Sequence, residues 1–548
     1  MTPETRRILL ATSLSAVIMF AFIWLQNRYA PQQRPGGPDA GAVAAAAAKK
    51  EPAAAPEPAP APGPAAPVKA VPAAPEETVV LETPEFRATF TSLGGALKSL
   101  ELKGRKFHRE VKGKGERPVD LVHVAESRPH PGALVPSPDL GGTGGLTEDP
   151  AARGSMRIAA RDERSVTFEG TMGAAEVRKR FFLGERPYEL GLEVHARTDR
   201  KGDLELLYPG FVPPDAPKPG FFSGGEVFEG VTPVCRAGGK TARFDGKQAK
   251  EVVAGTAAWL GLEQHYFLAA MLPTPEMGEC SFFRGPVAGE LGAALRLPVD
   301  RQLDVTFRIF QGPKQLDLLR GVGRELDTAV DYGSITNLFA FFARILLWVM
   351  QKLELVVRNW GISIILLTVV VKGLLYPLTA KSMQSMNEMR KLQPEIEKLK
   401  AKFGDDKEKL NQAVMQLYQQ HKVNPLGGCL PMLIQMPIWF ALYATLQTSV
   451  ELYNEPFLWL RDLTQYDPYF ILPLTMGASS FLMQKLSPQP ADNTQAKMLL
   501  YFMPIFFTFI MLKLPSGLTL YILVNNLLSI AQQQWLMKRQ AAPVPAKA

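Results

Sequence analysis

The chain has 548 residues, with 61 Lys and Arg against 53 Asp and Glu, a formal charge of +8 and 46% hydrophobic residues. That length suits two or three domains, and the charge is too balanced for a polyelectrolyte. The averages conceal a chain of unlike parts, which excludes a single soluble globule. Three cysteines, Cys235, Cys280 and Cys429, are too few for a disulfide framework and show no metal-binding spacing. Pairing of Cys235 with Cys280 stays open at this level.

From Ile8 to Asn27 there are 20 residues without a charge, preceded by Arg6 and Arg7. At helical rise this covers roughly 30 Å, enough to span a bilayer. A cleaved signal peptide would end in a small-residue site. Here the run ends in Phe22, Ile23, Trp24 and Leu25, which favours an uncleaved anchor over residues 1–29 with its N-terminus in the cytoplasm. Residues 30–76 follow as a linker. Between Pro31 and Pro75 there are 17 Ala and 12 Pro among 45 residues, with almost nothing to bury.

Residues 77–330 read as a periplasmic all-β sandwich. Short runs such as Phe86–Phe90, Arg164–Phe168, Tyr188–Val194 and Asp304–Phe310 alternate apolar with polar and are broken by Gly, Pro and Asp. Residues 331–358 read as a helix lying in the outer interface, with Leu338, Phe341, Phe342, Ile345, Trp348 and Val349 on one side. Arg344, Lys352 and Glu354 interrupt it and argue against a span.

Charge-free runs then predict five spans, at 360–380, 428–449, 468–485, 498–513 and 516–536. With the N-terminal anchor this makes a polytopic α-helical membrane protein of six transmembrane helices, five of them forming a core over 359–537. The loop Lys381–Lys422 carries nine Lys and Arg, whereas Glu451–Asp467 carries Arg461 alone. The first loop is therefore cytoplasmic and the second external. Within 382–422, Met383, Met386, Met389, Leu392, Ile396, Leu399 and Phe403 recur at helical steps, and Gly404 breaks the helix. Asp405 with Glu408 reads as a capping box for a second helix, giving a cytoplasmic hairpin. Residues 538–548 form a short cytoplasmic tail.

Lys372 is the most informative residue. It lies 8 residues inside Ala380, roughly 12 Å deep at helical rise. A charge there costs at least about 2.5 kcal/mol unless it meets water or a partner. The five spans offer no Asp or Glu at that depth, so a water-filled recess open to the cytoplasm is expected. Thr368, Gln435, Gln484, Asn525, Asn526, Ser529 and Gln532 are polar groups suited to line it, although each alone is more often an interhelical hydrogen bond. Twelve of the 19 methionines fall at or after Met383, and methionine surfaces adapt to many apolar partners as readily as they fill cores. No P-loop, GxSxG or HExxH is present, so no enzyme, cofactor or metal is expected.

Several segments carry a family resemblance: Asn359–Ile365, Tyr376-Pro377-Leu378-Thr379, Gln393-Pro394, Gly404–Lys407 and Lys422–Cys429. Others are Gln435-Met436-Pro437-Ile438, Asp467-Pro468-Tyr469, Pro515-Ser516-Gly517-Leu518 and Gln532-Gln533-Gln534. Together they resemble the YidC/Oxa/Alb membrane protein insertases across 331–537. The anchor and external domain resemble the Gram-negative form, more loosely through Thr91–Gly95 and Gln264–Phe267.

The resemblance implies an insertase of the inner membrane with a hydrophilic groove open to cytoplasm and lipid. Its substrates would be nascent membrane proteins, its partners the Sec translocon and a ribosome or targeting factor, and it would use no specific nucleic acid. It places Lys372 where the family usually has Arg, which keeps the charge and loses the planar fork. It matches Thr368 to a substrate-contacting threonine and Tyr521 to a groove aromatic, with Ile522 in place of a second one. Two rivals from other classes are a solute transporter or channel, which would need intramembrane acids or inverted repeats, and a membrane-anchored carbohydrate-binding protein of the periplasm.

Overall fold

A computed structural model describes residues 75–541 except 112–114, 125–127, 144–145, 147–148, 150–152, 213–229, 331–339, 405, 422, 424–429 and 487–493. The predicted anchor, nearly all of the linker, Cys429 and most of the tail lie outside the described residues.

The β region is antiparallel throughout. Three strands, β1 (Thr78–Glu82), β2 (Phe86–Thr91) and β3 (Ala96–Leu102), make a small sheet. The short pair β4 (His108–Val111) and β5 (Gly115–Pro118) follows. A large sheet then takes β6 (Leu134–Pro136), β7 (Arg157–Arg161), β8 (Ser165–Met172), β9 (Ala175–Leu183), β10 (Glu189–Phe211), β11 (Thr232–Ala237), β12 (Lys240–Arg243), β13 (Lys250–Glu263), β14 (Phe267–Thr274), β15 (Glu279–Arg284) and β16 (Glu290–Pro313).

The long strands β10 and β16 organise it. They pair from Glu189 opposite Phe310 to Phe211 opposite Glu290, with one irregularity between Arg197 and Lys201. One half of β10 also pairs β9 and the other pairs β6, while β16 is flanked by β14 and β15 in the same way. The two strands thus carry both halves of the domain. Cys235 and Cys280 form a disulfide across it. The core between the sheets includes Phe86, Phe90, Phe168, Phe181, Phe282 and Phe307, all buried. Helix α1 (Leu316–Val322) and a 3-10 turn at Leu326–Ala329 cover a second apolar cluster around Trp259 and Phe310.

Alternation along β9 has an unexpected product. Ala175, Val177, Phe181 and Leu183 point inward, and the same register turns Lys179 inward as well. Its side chain is fully buried, and Nζ donates to the carbonyl oxygens of Gly94 and, at 2.9 Å, of Gly132. The lysine ties two loops to the sheet. Burial drives its pKa down to about 7.

The C-terminal part is helical: α2 (Ala340–Val357), α3 (Trp360–Lys391), α4 (Gln393–Phe403), α5 (Lys407–Gln420), α6 (Leu430–Thr448), α7 (Ile471–Leu486), α8 (Thr494–Met511) and α9 (Ser516–Ala541). Helix α9 packs on α3 and α7, α8 on α7, and α2 on α3 and α6. Among the described residues, Trp360–Met389 is long and apolar enough to cross a membrane, and Tyr501–Met511 is a shorter apolar stretch. Helix α2 buries Ala343, Leu347 and Met350 on the bundle and exposes Phe341, Phe342, Ile345 and Trp348.

The hairpin differs in detail from the sequence reading. Helix α3 runs on to Lys391, so the first arm is its tail plus α4, divided at Leu392 ahead of Pro394. The second arm is capped by Asp406, whose carboxylate accepts from Lys409 N at 3.2 Å. The expected Asp405–Glu408 box is off by one at the cap, Asp405 lies outside the described residues, and Glu408 falls in the first turn. Leu392, Leu417 and Val423 close the hairpin, with Met389, Ile396 and Leu399 packed against them.

The loop between α6 and α7 joins the two parts. Tyr453 is buried in the β core, with its ring 5.3 Å from Tyr266 and 5.5 Å from Phe267. Asn454 Nδ2 donates to the Lys106 and His108 carbonyls at 2.8 and 2.5 Å. Phe457 lies against Gly361, where a Cβ would come within 2.2 Å of the ring, so only glycine fits there.

Two outcomes follow. Unfolded lysine holds its proton up to about pH 10, whereas buried Lys179 releases it near 7. Between those values the unfolded chain binds more protons, so the β domain gains stability with rising pH. Measured by hydrogen exchange from pH 7 to 9, a Lys179→Met variant should lack that gain, up to about 1.4 kcal/mol per pH unit. Tyr453→Ala should loosen the junction by about 3 kcal/mol, seen as faster exchange at residues 106–108 with the β10–β16 ladder unchanged.

Candidate functional site

The helices α3 and α9 form a polar seam through an otherwise apolar bundle. Lys372 Nζ donates to Ser529 Oγ at 2.8 Å, and Ser529 in turn donates to the Asn525 carbonyl at 2.6 Å. Two turns on, Gln532 Nε2 donates to Thr379 Oγ1 at 2.9 Å. The Tyr376 and Trp535 rings also meet across the two helices, 6.3 Å apart. No carboxylate forms an ion pair with Lys372 among the described residues, so a neutral hydroxyl is the group that receives its ammonium.

The seam is one wall of a cavity of about 600 Å³ to which all five helices α3 and α6–α9 contribute. Lys372, Gln435, Tyr521, Asn525 and Gln532 line it, as does Met383 further along α3. Gln435 Nε2 donates to Tyr521 Oη at 2.9 Å and bridges α6 to α9 across one end. Ile522, which follows Tyr521, also faces the cavity.

Three expected lining residues are not among those that line it, one of them Ser529, which bonds Lys372 instead. Thr368 is fully buried with its hydroxyl on the Ile364 carbonyl of its own helix at 2.7 Å, so it faces the bundle core. Asn526 turns away from the cavity, and its amide donates to Ser479 and Ser480 of α7 at 3.1 and 2.8 Å. Asn525 lines the cavity, while Asn526, about 100° further round the helix, is held by α7 instead. Of the hairpin residues, Met389, Leu392, Ile396 and Leu399 belong to the hairpin's own small core, and the side chain of Met386 lies outside the described residues.

The lining is more apolar than a fully hydrated recess. Met383, Met436, Met476, Met483 and Met511 supply much of it with Trp439 and Phe507. The uneven distribution of methionine is the signal in the sequence that anticipates them, while Trp439 and Phe507 have no sequence signal apart from lying in apolar runs. Among the described residues no His, Cys, Asp and Glu group is placed to hold a metal ion.

The opposite end of the bundle is stoppered. Ser516 N and Gly517 N, at the start of α9, donate to the Gln465 and Leu463 carbonyls at 2.7 and 2.9 Å. Asp467 accepts from Trp459 Nε1, Tyr469 N and Leu472 N, which fixes the same loop to the start of α7. Asp462 beneath it accepts from Thr464 N and Oγ1, and burial pushes its carboxyl up to about 6.

Comparison with known proteins places these features in a family. A family model described as "60Kd inner membrane protein" matches residues 352–543, and one described as "YidC periplasmic domain" matches 78–349. A "Membrane protein insertase YidC" from Anaeromyxobacter dehalogenans (strain 2CP-C) is 58% identical, covering 100% of this chain and 99% of the relative. One of the same name from Syntrophus aciditrophicus (strain SB) is 35% identical over 85% of each chain. A solved active YidC insertase aligns with 83% of this chain and 91% of its own at 21% identity, with a TM-score of 0.36, which carries no weight beside the sequence matches. By both family models and by full-length identity, the chain belongs to the YidC family of inner-membrane protein insertases.

Proposed function

We propose that the protein inserts newly made proteins into the inner membrane through the cavity at Lys372. The carrying observation is that one cation, bonded among the described residues to a neutral hydroxyl, lines a cavity whose other lining groups, from five helices, are uncharged. The names of the relatives support the activity. In this reading α3 and α6–α9 cross the membrane, and a sixth helix over residues 1–29 anchors the chain. Both termini are cytoplasmic, and residues 30–357 are periplasmic, with a β sandwich over 77–330 and α2 in the outer interface. Nine basic residues over 381–422 against Arg461 alone over 451–467 support that orientation.

A polar, acidic tail of the client enters from the cytoplasmic side, and Lys372, Gln435, Asn525, Gln532 and Tyr521 replace part of its water. The methionine wall accommodates the apolar segment that follows. Its release into lipid supplies the drive, at about 0.8 kcal/mol per buried CH2, without nucleotide or metal. The hairpin collects clients or receives them from a ribosome or targeting factor, and the Sec translocon acts beside this route for larger clients.

The test is insertion of single-span clients into vesicles containing only this protein. Lys372→Ala should slow clients with acidic tails roughly tenfold, the size of one lost hydrogen bond to a charged group. Lys372→Arg should retain them. Unchanged insertion of several acidic-tailed clients by the alanine variant would remove Lys372 from the mechanism.

A further inference from the structure

A lysine at this depth has a way out. Its four-carbon stem lets the ammonium slide along the helix toward headgroup water, which removes the charge from the place where a client would meet it. What opposes this is a single side chain. Ser529 is nearly buried, and its Oγ stands 2.8 Å from Lys372 Nζ. Because the Ser529 proton is committed to the Asn525 carbonyl at 2.6 Å, the oxygen can only accept. The Ser529 hydroxyl is therefore oriented as a fixed receptor for the ammonium, and the remaining N–H groups of Lys372 stay directed at the cavity.

We propose that Ser529 is a positioning residue: it holds the Lys372 charge at a fixed depth and so sets which residue of a client's tail the charge meets. The proposal rests on the insertase reading above and adds to it a residue that acts through Lys372 rather than on the client. A flexible ammonium would accept a carboxylate anywhere along a wide stretch of tail. A tethered one selects acceptors at one distance from the apolar segment. The exchange needs no proton transfer. A client carboxylate takes the free ammonium donors while the Ser529 bond is kept, and the hydroxyl, having no proton to offer, does not compete for the client's oxygen.

The rest of the seam reinforces the tether. The Thr379–Gln532 bond and the Tyr376–Trp535 contact fix α9 against α3 on the cytoplasmic side of Lys372. Ser529 thereby stays opposite the lysine.

The experiment uses the full chain in vesicles and a series of single-span clients. One Asp is moved residue by residue through an otherwise neutral translocated tail, and each rate is divided by that of the all-neutral tail on the same vesicles. The native protein should show a peak at one Asp position. Ser529→Ala should lower that peak ratio at least about threefold and spread or shift it toward positions met nearer the cytoplasm. Ser529→Thr, which keeps the hydroxyl, should restore both height and position. A peak unchanged in Ser529→Ala overturns the proposal, and so does a threonine variant as poor as the alanine variant, since packing and not the hydroxyl would then matter. The same series on Lys372→Ala separates the two readings. Loss of the peak there with no effect of Ser529→Ala defeats only the positioning role, whereas a peak that survives Lys372→Ala defeats the insertase site itself.

Discussion

An ammonium that has no ion-pair partner among the described residues, set in a largely apolar helix, is the constraint on which the C-terminal half depends. Without a counterion it must be given acceptors or water, and each solution dictates neighbours. The acceptor is Ser529, which must itself be oriented by Asn525. The room around it is the cavity, which α6, α7 and α8 complete: α7 packs directly on α9, and Gln435 of α6 bonds Tyr521 of α9.

The loop between α6 and α7 answers to a second constraint. It leaves the bundle with buried polar backbone and has to satisfy it twice, once on the starts of α7 and α9 and once on the β domain. Asp467 and the Ser516 and Gly517 amides do the first, and Tyr453 with Asn454 do the second. One loop therefore shuts the end of the bundle remote from the hairpin and docks the β domain on top of it. The burial of Glu451 and Asp462 within the same loop raises both carboxyls above their ordinary values.

Much of this was legible in the residues because it follows from periodicity and charge. Two-residue alternation marked strands such as β8 and β16, uncharged runs marked the helices, and one lysine in an apolar run marked the cavity. What escaped lies below the resolution of a pattern. Thr368 stands one turn from Lys372, yet its hydroxyl is satisfied by its own helix and its side chain turns to the core. Asn525 and Asn526 read alike in sequence and face opposite demands, the cavity and the serines of α7. Asp405 and Asp406 are equivalent as cap residues until the backbone chooses one. Lys179 sat in plain view in an inward register, but a lysine in a strand is read as exposed until the carbonyls that receive it are seen.

The mixture of lining groups bears on the proposed activity itself. A wholly polar cavity would hold a hydrated tail well and an apolar segment badly, so that the second step would stall. A wholly apolar one would admit the segment and reject the tail. Here α9 brings polar groups and no methionine, α8 brings apolar groups alone, and α3, α6 and α7 bring both. Polar chain and apolar chain can therefore occupy the same space, the one against the α9 wall and the other against the methionine-bearing wall. Methionine suits the second wall because its unbranched thioether adapts to side chains of any shape without a conformational commitment. Since lipid beyond that wall is the lower-energy destination for the apolar segment, the direction of transfer is set by the client's own composition.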